Sequence, residues 1–153
     1  MTDARLYGTQ MHNLPDPQTQ PEFYDGVPTK RLLAWVVDVA ITAVLTLLLL
    51  PFTGFLAFFV LVPFFFVIGF AYRTITIARG SATWGMRLFA IELRQSDGRR
   101  FDLGAAFFHT LGHTICITTT LLQVISIVLT LSTERGQGLT DHVMGTVAIN
   151  KRR

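Results

Sequence analysis

The chain has 153 residues, half of them apolar and 15% charged, with a formal net charge of +3 and a mean hydropathy of +0.46. A soluble domain of this size carries about a quarter charged residues, so the deficit points to membrane segments and leaves no room for a separate soluble catalytic domain. The single cysteine, Cys116, excludes an intrachain disulfide.

The first 29 residues are polar, with Pro15, Pro17, Pro21 and Pro28, and have no apolar run to form a core or a signal segment. They read as a loose tail, and residues 30–150 as one membrane domain. Residues 32–50 hold a single charge, and a bilayer core takes roughly 20 apolar residues in a helix. A first membrane helix is therefore expected at about 31–50, ending at Pro51. The next run predicts a second helix at about 55–72, kinked at Pro63 and stopped by Arg73. Its phenylalanines read as lipid-facing.

The loop 73–102 carries six arginines against three acids. Between two membrane runs that bias reads as the positive-inside rule, with anionic lipid as the partner and no nucleic acid. Within the loop, residues 86–93 are strand-like, Ser96-Asp97-Gly98 is a turn signal, and residues 99–103 resume extended character. Residues 145–150 are again β-rich, and these pieces can pair only if both lie on one side of the membrane.

Residues 103–131 carry no fixed charge. As one straight helix they would span about 44 Å at 1.5 Å per residue, overlong for a core of about 30 Å. The segment either lies partly along the interface or breaks near Thr118-Thr119-Thr120. The fold class is thus an all-α membrane protein, a small bundle of three membrane helices (four if the last is broken) with a short β-rich loop region. With the N-terminus cytoplasmic, a broken third segment keeps all 13 basic residues on one side, whereas three crossings would put Arg135, Lys151, Arg152 and Arg153 on the other.

Asp38 is the sharpest feature, because a carboxylate in a membrane helix costs on the order of 3 kcal/mol and usually faces a partner or water. It lies seven residues after Arg31, nearly two turns, so both share one face with Trp35, Thr42 and Thr46. It is either a proton or cation site or a structural anchor. A second stripe, His109, His113, Cys116, Thr120 and Gln123, recurs at helical spacing and reads as an interhelical seam, with a proton relay as the alternative. No ligand set completes a metal site, no cofactor loop is present, and no nucleophile is paired with a base. An enzyme is not expected.

Three patches together resemble the RDD family of bacterial membrane proteins: Arg31-Leu-Leu-Ala-Trp-Val-Val-Asp38, Gly80-Ser-Ala-Thr83-Trp-Gly85-Met-Arg87, and Leu139-Thr-Asp141-His-Val-Met-Gly145-Thr146-Val147. The resemblance implies that Arg31, Asp38 and Asp141 are the Arg and two Asp that give the family its name. In two places the chain departs from the pattern: Met86 stands where the family commonly has Lys, and His109 where an Arg often begins the third segment. The resemblance implies a multi-pass protein of the bacterial inner membrane, some members being similar to cation/proton antiporters. Two functions follow as expectations. One is a small oligomeric transporter exchanging protons for monovalent cations through Asp38, with Thr42, Thr46, His109 and His113 along its path. The other is a non-transporting scaffold or accessory protein in which the Arg/Asp set is structural and Asp141 meets Arg31 or Arg87.

Overall fold

The computed structural model describes residues 14–54 and 56–151. Two helices dominate it: α1, Val27–Leu49, and α2, Leu61–Gly80. Both, with their flanking turns, are long and apolar enough to cross a membrane, and the chain is an all-α membrane protein with one small sheet. Helix α1 starts at Gly26, which takes a left-handed φ of 65°, with Pro28 in its first turn, where the missing N–H breaks no helical bond. It ends at Leu50-Pro51, where a short 3-10 turn takes over. The hydroxyls of Thr42 and Thr46 donate to the carbonyls of Asp38 and Thr42, at 2.8 and 2.7 Å. Two polar side chains are thereby satisfied inside an apolar helix.

The second helix departs from expectation at both ends. Residues Leu56–Val60 are a 3-10 turn and the α-helix starts at Leu61. Pro63 consequently lies in the first turn, where it costs no internal hydrogen bond and makes no kink. At the other end Arg73 does not stop the helix, which runs on to Gly80. The reason is tertiary: the Arg73 guanidinium lies 3.7 Å from Asp38, so its charge is balanced within the bundle. Of the phenylalanines, Phe52, Phe58 and Phe59 are exposed as expected, while Phe65, Phe66 and Phe70 line an internal cleft.

Residues 86–93 are not one strand. Thr83 caps a short helix α3, Trp84–Leu88, by accepting from the Met86 N–H at 3.2 Å, and only Ile91–Arg94 is extended, as β1. Residues 99–103 form no strand either; they fold back as Gln95 N–H donates to Arg99 O. The partner of β1 is the C-terminal β2, Val147–Asn150, antiparallel with Ile91 opposite Asn150. The expected pairing of the two β-rich pieces is therefore present.

The third apolar segment is broken where its threonines suggested. Helix α4, Leu103–Thr118, and helix α5, Thr120–Ser132, meet at Thr119 with a bend of 114°. The break also splits the expected seam: His109 and Cys116 are buried on α4, but Thr120 on α5 is exposed. A short α6, Leu139–Met144, follows. Because α6 packs on both α4 and α5, the segment enters the bundle and returns to the end where it began.

That end carries a compact core of Val27, Ala34, Ile77, Met86, Ile91, Leu93, Phe101 and Ala148, with others. The polar N-terminal segment is not loose where it is described. Leu14 and Tyr24 are buried against Val147 and Ile149, and the Asn150 amide donates to Glu22 O and Asp25 O. Proline spacing hid these two apolar residues, which pack against the sheet. The expectation for residues 1–13 lies outside the described residues.

Candidate functional site

Asp38 is 4% exposed and sits in a cradle built by two elements. One oxygen accepts from Tyr72 Oη at 2.7 Å and from the Gly85 N–H at 3.0 Å. The other accepts from Thr83 Oγ1 at 2.6 Å and faces Arg73 at 3.7 Å. The Gly80–Arg87 patch is thus the cap that receives the Asp38 carboxylate. Gly85 is required by contact: a Cβ there would collide with Ala34 O and crowd Asp38 Oδ1. Gly80 leaves room for the Arg87 guanidinium, which donates to Thr76 O and satisfies a carbonyl near the end of α2. Met86, in place of the family's Lys, is buried in the apolar core and touches neither carboxylate.

Asp141 is fully buried and forms the second centre. One oxygen accepts from Arg31 at 2.6 Å and from the Gly138 N–H at 3.1 Å. The other accepts from Thr146 Oγ1 at 2.9 Å and lies 3.0 Å from His109 Nε2. Gly145 closes the helix before it with a φ of 68°, a left-handed conformation that glycine adopts without strain. Burial alone would favour the neutral acid, but the Arg31 guanidinium and the His109 hydrogen bond outweigh it and hold the Asp141 carboxyl well below the usual carboxylate range. Arg31 also donates to Gly136 O.

Arg31 and Asp38 therefore share a helix face but serve different partners, and the expected Asp141 contact is to Arg31, not to Arg87. His109 occupies the position of the family's Arg and still meets Asp141. Tyr72 and Arg73 had no place in the sequence-derived set, because they marked the end of a helix that in fact continues. Thr46 stays buried with its hydroxyl on the Thr42 carbonyl and reaches neither centre.

Between α1, α2 and α4 a cleft of about 70 Å³ borders Asp38. Its lining includes the polar Arg73, His113 and Thr42 and the aromatic Trp35, Phe65 and Phe66. At about 30 Å³ of liquid volume per water, it holds a few waters or one small polar group. Among the described residues no group of three or more His, Cys, Asp or Glu is arranged to hold a metal ion.

The family model described as RDD family matches residues 26–145. That span contains both carboxylates, the cap that covers Asp38 and, apart from Thr146, every partner of Asp141 named above. No curated protein and no solved structure matches.

Proposed function

We propose that this chain, which belongs to the RDD family, is a non-transporting membrane scaffold or accessory protein whose Arg/Asp set locks a small helix bundle. The observation that carries this reading is the saturation of both carboxylates. Asp38 holds three hydrogen bonds and a nearby guanidinium, and Asp141 four polar partners. A transport carboxylate must exchange its partners for a proton or cation, whereas these are held by groups from separate elements.

The working surface in this reading is the end that carries the sheet. Arg79, Arg87, Trp84 and Leu88 are exposed there, a basic and aromatic mixture suited to an anionic headgroup layer. No charged residue lies between 39 and 72 or between 103 and 133, histidines apart. By the positive-inside rule the sheet end, with residues 14–29 and 147–151, faces the cytoplasm of a bacterial inner membrane in this proposal.

A second reading rests on the cleft. Asp38 borders it beside Arg73 and His113, which favours exchange of protons for monovalent cations within a homo-oligomer. Proteoliposomes holding a trapped pH dye, under imposed Na⁺ or K⁺ gradients, separate the two. The scaffold reading expects no pH change beyond empty liposomes, with Asp38→Asn folded and equally silent. A cation-driven pH change in the wild type that Asp38→Asn abolishes would replace it with the transport reading.

A further inference from the structure

Arg73 is a buried charged group that is poorly satisfied among the described residues. Its side chain is 11% exposed, and its guanidinium donates no hydrogen bond among the described residues. Its Nε is buried without a partner, and its nearest acid oxygen, on Asp38, is 3.7 Å away and already accepts from Thr83. A guanidinium carries five N–H donors and no acceptor, and donors left buried and unused keep their full desolvation penalty. Arg73 lines the cleft. So does His113, whose ring makes no hydrogen bond among the described residues.

The charged acceptor at the cleft is engaged: the oxygens of Asp38 hold their three donors. The hydroxyl hydrogens of Thr42 and Thr114 are given to carbonyls of their own helices. What the cleft leaves unused is the Arg73 guanidinium beside the His113 ring, a pair that suits an occupant with acceptor oxygens. The outer wall indicates where the occupant comes from. Trp35 is 39% and Val39 36% exposed on α1, a helix apolar enough to cross a membrane, and both line the cleft together with Phe65 and Phe66.

The geometry points to a lateral lipid site: the phosphate head of an anionic lipid seats in this cleft against the Arg73 guanidinium and the His113 ring, with its chains over Trp35, Val39 and Phe65. Phosphate oxygens suit a guanidinium, which presents paired donors in a plane. The site is distinct from the exposed arginines at the sheet end and holds whether or not the chain transports.

The test uses the full chain, purified in detergent and stripped of lipid, with a short-chain phosphatidic acid as the probe and native mass spectrometry as the readout. One lipid per chain is expected to bind to the wild type, and at least tenfold more weakly to His113→Leu and Val39→Trp. Neither change removes a donor to Asp38, and each variant's helix content by circular dichroism shows that it is folded. Arg73→Gln is the less informative variant, because it also strips Asp38 of its counter-charge. Wild-type affinity in both folded variants would overturn the proposal and place the lipid on the exposed arginines. Displacement of the lipid by inorganic phosphate at equal concentration would overturn the lipid source, leaving a site for a free oxyanion.

Discussion

At the scale of single residues, two acids with the same side chain perform different tasks because their donors differ. Asp38 is held mostly by neutral donors, Tyr72, Thr83 and the Gly85 N–H, and Asp141 by a close guanidinium. Removing one partner of a buried ion pair costs about 3–5 kcal/mol, so Asp141→Asn is expected to lower the thermal midpoint in detergent substantially. The pH dependence follows from the depressed carboxyl. Folded Asp141 binds its proton less tightly than in the unfolded chain, where the pKa is near 3.9. Its stabilisation is complete at about pH 5 and above, and is lost as pH falls through and below that unfolded value. A thermal melt series from pH 7 down to pH 3 is expected to show a decline in the wild type that Asp141→Asn lacks; parallel curves would remove Asp141 from this role. Arg31 and Asp38 were legible as a shared helical face, but their partners were not. Arg73 reads as an end marker from sequence because its counter-charge is 35 positions upstream on another helix.

At the scale of elements, the apolar runs located α1 and the broken third segment well, since length and charge depletion decide whether a segment enters a bilayer. Strand assignment failed where a cap competed with it. Residues 86–93 alternate well enough for a strand, but the Thr83 hydroxyl satisfies the orphan N–H of Met86 in the first turn of a helix and α3 forms instead. The Gly80–Arg87 patch is a receptor for the Asp38 side chain, and its tightest point is Gly85 against Ala34. Gly85→Ala is expected to cost about 1–3 kcal/mol by overpacking, read as a lowered thermal midpoint. Gly26→Ala is the control for a glycine whose added Cβ meets nothing within 4 Å, its cost being confined to the positive φ. Equal and small losses in the two would show that the contact of α3 with α1 is not tight.

At the scale of the whole molecule, the returning pair α4–α5 decides the topology. It brings Gln137 to Thr146, at 2.7 Å, and β2 to β1, on the same end as Lys30, whose Nζ meets Asn150 at 2.6 Å. With Cys116 changed to Ala, single cysteines at Asp16, Ser96 and Lys151 are expected to react with a membrane-impermeant label from one and the same side. Reaction of Lys151→Cys from the side opposite Asp16→Cys would make the third segment a full crossing. This arrangement was half legible: the overlong charge-free run demanded a break or a tilt, and the pairing of 91–94 with 147–150 demanded one side. What no local pattern disclosed is that Leu14 and Tyr24 cover the sheet, since their partners lie more than a hundred residues away.

The positions of the two carboxylate centres along the chain give their completion an order in time. Everything that receives Asp38 has been synthesised by Gly85, so the first helix and its cap can close while the chain is still emerging. Arg31 waits for Gly136 and Asp141, more than a hundred residues further along the chain. Until then the first helix carries a cation without its counter-charge at the bundle end. A chain truncated before residue 136 would hold that uncompensated arginine permanently, a mark by which a quality-control protease could tell an unfinished copy from a finished one.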